Sequence, residues 1–237
     1  MTGEVWLSYR LSDFVMFSER VYQRQIQLYN ENWLGLQVVA LILAGVIFWH
    51  MLKPSGRSGR VIPILLALAW FWVGWSFLWA RYAEINLLAL YAAPAFALQG
   101  LALLVIAGLP GGLRVKLPRD PLRLPAITLL FFALFLYPLI ALLAGEPVMS
   151  AEFFALMPDP TAVATLAVVS MCAGPMRWLL MLVPLAWCLC SAAVLWVLES
   201  AQFWPLALLV AVAVLLAAIR PKPSSDRADD RDGLSQS

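Results

Sequence analysis

The chain has 237 residues, of which 63% are hydrophobic and 13% charged, with a net charge of +2 and a mean hydropathy of +0.84. A soluble domain of this size has no use for so much apolar surface, and no basic cluster is dense enough for nucleic-acid binding. The apolar runs are about 20 residues long, the length of a membrane-spanning helix; they are too long and too uniform for barrel strands.

Residues 1–32 are polar and aromatic. Ser12-Asp13 and Ser18-Glu19 read as helix starts, each a capping residue followed by an acid at the positive helix end. Tyr22, Ile26, Tyr29 and Trp33 recur at helical spacing on one face. This predicts a short amphipathic helix, either lying at the membrane interface or packed on the protein's own bundle. The segment has no apolar h-region and carries Glu4, Arg10 and Asp13, so no cleavable signal peptide is expected; nor is a lipid anchor.

Seven apolar spans are predicted, at about Trp33–Leu52, Val61–Ala80, Asn86–Leu109, Leu124–Ala144, Thr161–Met176, Trp178–Leu198 and Phe203–Ile219. Residues 145–160 are predicted as the longest loop within the bundle. The tail 220–237 is rich in Ser, Asp and Arg and is expected to be disordered. The fold class is therefore all-α: a polytopic transmembrane bundle of about seven spans over residues 33–219, preceded by the amphipathic segment 1–32.

Lys and Arg set the orientation. Loop 53–60 carries three basic residues and no acid, loop 110–123 carries Arg114, Lys116, Arg119 and Arg123 against Asp120, and Arg177, Arg220 and Lys222 follow. The alternate connections hold Arg81 with Glu84, then Glu146, Glu152 and Asp159, then Glu199. The expectation is seven spans with the N-terminus outside and the C-terminus on the cytoplasmic side. The short fifth span is the weak point; were residues 161–176 re-entrant, six spans would remain.

Little catalytic chemistry is visible. Cys188 and Cys190 stand two residues apart, nearly opposite on a helix, and Cys172 lies at a different depth. With His50 the only histidine, no metal site and no cofactor are expected. By these boundaries no ionisable side chain lies mid-span, so no proton relay is expected. Gln37, Tyr91 and Gln99 are the intramembrane polar residues to watch, as pathway residues or as interhelical hydrogen bonds. Trp72, Trp75 and Trp79 share a helix face, as packing or as a groove lining. Outside the spans, Arg81, Tyr82, Glu84 and Asn86 form the densest polar cluster, with Arg81 and Glu84 spaced to pair.

Ser12 to Ser18, then Leu28-Tyr29-Asn30, Arg81 to Asn86, and Pro158-Asp159-Pro160-Thr161 together resemble an uncharacterised family of small bacterial integral membrane proteins, a domain of unknown function. The resemblance reaches to about Ile219. It implies a bacterial inner membrane, and some members carry the loose label of permease. The expectation is a non-enzymatic module that handles a small solute or a lipid without energy-coupling machinery. The alternative is a scaffold or accessory subunit of a larger complex. The expected partners are the bilayer and either another membrane protein or a second copy, with no nucleic acid. A polar cavity reaching Gln99 or Tyr91 would favour the first reading, a solid interior the second.

Overall fold

The computed structural model describes residues 17–115 and 122–219, and they are almost entirely helical. The segment Ser12-Asp13 and the tail 220–237 lie outside the described residues. The helices are α1 (Glu19–Asn32), α2 (Leu34–Leu52), α3 (Ser58–Val73), α4 (Leu88–Gly108), α5 (Arg123–Phe131), α6 (Leu139–Leu143), α7 (Pro158–Ser170), α8 (Met176–Val197) and α9 (Phe203–Ile219). Four helical stretches are long and apolar enough to cross a membrane: Leu34–Leu52, Ser58–Glu84, Leu88–Gly108 and Met176–Val197; Arg123–Leu136 and Phe203–Ile219 are apolar but shorter.

Of the two predicted start signals, Ser18-Glu19 falls within the described residues, and α1 starts there. Ser18 stands at the N-cap of α1 and Glu19 in its first turn. The predicted face of α1 is buried at Tyr22, Ile26 and Tyr29, and it packs on the protein itself, against the turn Val148–Ser150. Asn30 Nδ2 donates to the carbonyls of Met149 and Ala151 at 2.7 and 2.9 Å, and Gln27 to Ser150 Oγ at 3.0 Å.

Two predicted spans are not simple α-helices. α3 continues as a π-helix over Gly74–Trp79, which shifts the tryptophan phase: Trp72 is half-buried, while Trp75 and Trp79 are exposed. The predicted span 124–144 is α5, a π-helical stretch Phe132–Leu136 and then α6 beyond Pro138. A proline has no N–H to continue the ladder, which accounts for the break.

The largest departure is in residues 145–160, read from the sequence as a loop. Only its first part behaves as one. Residues 151–157 are buried apart from a partly exposed Phe153, and Met157 enters α7 in extended conformation. All residues of α7 are buried. Its sequence is mostly Ala, Val, Thr and Ser, side chains small enough for α3, α5, α8 and α9 to close around it.

α7 connects the two ends of the bundle. Its first turn lies beside the segment that meets α1. Beyond its last turn, the N–H of Ala173 donates to the carbonyl of Arg114 at 2.9 Å, and Val115 and Cys172 form an isolated antiparallel bridge. At that same end the N–H of Leu113 donates to the carbonyl of Gly59 at 2.8 Å. A Cβ on Gly59 would sit 2.9 Å from the carbonyl oxygens of both Gly111 and Leu113, whereas one on Gly56 would meet nothing within 4 Å. Gly59→Ala is therefore expected to cost about 1–3 kcal/mol through a backbone that has to shift. Gly56→Ala should leave the melting temperature within error. Thermal unfolding of the two purified variants checks this, and equal melting temperatures would refute the tight contact.

Candidate functional site

The outer polar cluster assembles only in part. Asn86 Nδ2 donates to the Tyr82 hydroxyl at 2.9 Å, and Asn86 Oδ1 accepts the N–H of Leu88 at 3.0 Å at the start of α4. Arg81 and Glu84 do not pair: among the described residues the one ion pair within 4 Å is Arg24–Glu31, at 3.8 Å and exposed. The turn Tyr82–Glu84 is a short 3-10 helix in which Tyr82 is buried and Glu84 exposed, so its polar side chains point different ways. The intramembrane set does not converge either. Gln99 is buried and donates to the carbonyl of Leu180 on α8 at 3.0 Å. Gln37 is half-buried. Tyr91 is 77% exposed on the outside of α4. The cleft at Tyr22 and the groove between α2 and α3 are lined by none of the three, so neither is the polar cavity at Gln99 or Tyr91 that a solute pathway was expected to have.

Two acids assigned from the sequence to an outer loop are instead enclosed. Asp159 lies in the first turn of α7 and is 1% exposed. Its Oδ1 accepts the Trp187 indole N–H at 2.6 Å and its Oδ2 the Ser191 hydroxyl at 2.7 Å. Pro158 and Pro160 lack N–H groups and suit the first turn of a helix, where a carboxylate is also favoured by the helix dipole. Trp187 and Ser191 stand ten and six residues before the end of α8, which sets Asp159 about 9–15 Å inside that end.

Glu152 is 3% exposed, in the extended lead-in to α7. Its Oε1 accepts the Tyr22 hydroxyl at 3.2 Å. Its Oε2 has no hydrogen-bond partner. Among the described residues no Lys or Arg lies within 4 Å of either carboxyl. Burial holds the hydroxyl of Tyr22 protonated, so it donates to Glu152. The two carboxyls thus have different roles. Asp159 has fixed donors on both oxygens and suits the charged form; Glu152 has a bare oxygen and suits the neutral form.

A narrow cleft of about 10 Å³ lies against this pair, bounded by Tyr22, Tyr82, Asn86, Trp187, Cys190 and Ser191. That is room for about one water. Three of its walls, Tyr22, Trp187 and Ser191, donate to the acids behind them. Tyr82 and Asn86 of the predicted cluster therefore do border the site, and Arg81 and Glu84 do not. Among the described residues no group of three His, Cys, Asp or Glu side chains could hold a metal. Cys188 is buried and Cys190 exposed, on different faces of α8. A clue to the site was present in the sequence: Glu152 heads the apolar run Phe153-Phe154-Ala155-Leu156-Met157, which a solvated loop would not carry.

These features define an all-helical protein with several membrane-length apolar helices around a buried carboxyl pair. The chain belongs to the family of unknown function DUF6064, which matches residues 19–225. No curated protein and no solved structure matches it.

The Glu152 contact is tested by substitution. Glu152→Gln keeps an acceptor for the Tyr22 hydroxyl and should melt close to wild type in detergent, whereas Glu152→Ala should cost about 1–3 kcal/mol by leaving that buried hydroxyl without an acceptor. Equal melting temperatures for wild type and Glu152→Ala would refute the contact.

Proposed function

We propose that this is a polytopic protein of the bacterial inner membrane, a non-enzymatic permease-like module for a small solute or lipid, with the Glu152–Asp159 pair as its proton-binding centre. The observation that carries the reading is that pair, enclosed without a basic partner among the described residues, in a bundle built of membrane-length helices. Ionisable groups at such depth are costly and mark ion or proton pathways. A short helix with an irregular lead-in, buried within the protein, is how transporter folds place such groups. The proposal departs from the expectation of no energy-coupling machinery, since a buried carboxyl that holds and releases a proton is such machinery.

Seven crossings, with the N-terminus periplasmic and the C-terminus cytoplasmic, fit this reading. α7 is about 20 Å long, shorter than a hydrocarbon core of about 30 Å, and the buried stretch 151–157 supplies the remaining depth. The contacts of Arg114 with Ala173 and of α1 with Val148–Ser150 lie at its two ends, which favours a crossing over a re-entrant turn. Loops 53–60 and 109–115 are basic, while Glu84, Glu146 and Glu199 lie toward the other end, as the orientation rule requires.

In this reading Glu152, whose Oε2 has no partner, carries the proton, and Trp187 and Ser191 hold the Asp159 carboxyl in place. Opening the cleft at Tyr22 would hydrate Glu152 and lower its hold on that proton. Infrared spectroscopy of the protein in lipid tests this reading. A protonated-carboxyl C=O band is expected at neutral pH, absent in Glu152→Gln. In liposomes with an entrapped pH dye, wild type should collapse an imposed pH gradient faster than Asp159→Asn. If no band is seen and the two decay equally, the interior is structural and the scaffold reading takes over. Topology is checked separately. A reporter after Ile219 should be cytoplasmic and a tag before Trp33 periplasmic; both in one compartment would refute seven spans.

A further inference from the structure

A groove opens sideways between α2 and α3. It measures about 250 Å³ and is bounded by Val39 and Ala40 of α2, Leu68 and Ala69 of α3, and Ala155 and Leu156 at its floor. This is just below the volume of small-molecule sites, about 300–1,000 Å³. Among its lining side chains the only polar atom is the indole nitrogen of Trp72, which donates to the Tyr29 hydroxyl at 3.1 Å. At the floor, the N–H of Ala155 donates to Thr161 Oγ1 at 3.0 Å and that of Leu156 to the carbonyl of Phe153 at 3.2 Å. Nothing in the walls recognises a polar solute.

The rim faces outward. Val39 and Leu68 are 47% and 55% exposed, and they belong to two of the helices long and apolar enough to cross a membrane. The floor is part of the candidate site. Ala155 and Leu156 lie between Glu152 and Asp159 on the segment that carries both. Ala155 holds φ at +64°, a left-handed conformation that costs a residue with a side chain about 1 kcal/mol or more. Its hydrogen bond to Thr161 ties that strained residue to α7. A molecule in the groove would therefore rest on a strained stretch joining the two acids, whereas the separate cleft at Tyr22 and Trp187 admits one water.

We infer that the groove between α2 and α3 receives one hydrocarbon chain of a membrane-dissolved amphiphile, so that the substrate of the permease-like module is lipidic and reaches the segment 151–157 from within the bilayer. This deepens the proposed function and rests on its reading of that segment as the working centre. Three features select an acyl chain over a water-soluble solute: the apolar walls, the sideways opening on membrane-length helices, and the continuity of the floor with the acid-bearing segment.

The test uses the full chain in phosphatidylethanolamine–phosphatidylglycerol vesicles containing a phospholipid with a diazirine on one acyl chain. After photolysis, mass spectrometry maps the labelled residues. Bulk lipid reaches exposed positions such as Ile42 and Leu41 but not Ala155 or Leu156, which are 6% and 3% exposed. Labelling of Ala155 or Leu156 is the expected result. It should fall about tenfold in Ala69→Phe, which fills the groove, while labelling at Ile42 is unchanged. Val39→Trp, at the exposed rim, narrows the mouth without touching the core and should act in the same direction if Ala69→Phe fails to fold. Labelling confined to exposed positions overturns the inference, as does floor labelling that neither variant reduces. So does a Val39→Cys disulfide dimer with an unlabelled floor, which would put a second copy in the groove. The infrared band of Glu152 reports on the proton reading separately, so loss of one result does not imply loss of the other.

Discussion

A helix buried on every side has to be made of side chains its neighbours can close on, and its polar groups have to be satisfied from within. α7 meets the first condition with Ala, Val, Thr and Ser. It meets the second by turning hydroxyls back onto its own carbonyls: Thr161 onto Met157 at 2.7 Å, Thr165 onto Thr161 at 2.8 Å and Ser170 onto Ala167 at 2.7 Å. Thr165 also accepts the indole N–H of Trp70 at 2.8 Å. The surrounding helices take their positions from this rod. α3 contributes Trp70, α8 contributes Trp187 and Ser191, and the broken stretch α5–α6 bends around it.

Enclosing α7 also encloses its approach. Residues 151–157 lack the regular ladder of a helix, and a buried backbone of that kind has to find partners elsewhere. α1 supplies some, through Asn30 to the carbonyls of Met149 and Ala151. The amphipathic helix thus holds the lead-in to α7 in place, and Tyr22 on the same face reaches Glu152. An arrangement that satisfies the backbone brings an acid inside as a consequence, and the bare Oε2 of Glu152 is among the groups left unmatched.

The site therefore combines one acid whose oxygens are both engaged with one that keeps a free oxygen. The one-water cleft is edged by Tyr82, Asn86 and Pro158, and the apolar groove is lined by Ala155 and Leu156. Ala155, with its strained backbone, stands between Glu152 and Asp159 in the chain. A polar cleft and an apolar groove thus both border the segment 152–159, which is the physical basis for treating them as one site.

The helical character of the chain, the positions of most of its helices and the start of α1 were legible in the sequence, because they follow from apolar run length, capping and helical spacing. The predicted Phe203–Ile219 is the observed α9, and α2 begins one residue after the predicted Trp33. The π-helical turn from Gly74 leaves no mark on an unbroken apolar run, and Pro138 by itself does not announce a break, since Pro63, Pro94 and Pro184 sit inside α3, α4 and α8 without ending them. The site was legible only as ingredients. The sequence alone could place Glu152 and Asp159 between two apolar stretches, where a carboxyl is ordinarily solvated. Only tertiary packing decided that this stretch is drawn inward, because burial depends on which helices close around α7, and that is a property of contacts distant in sequence: Tyr22 with Glu152, and Asp159 with Trp187 and Ser191.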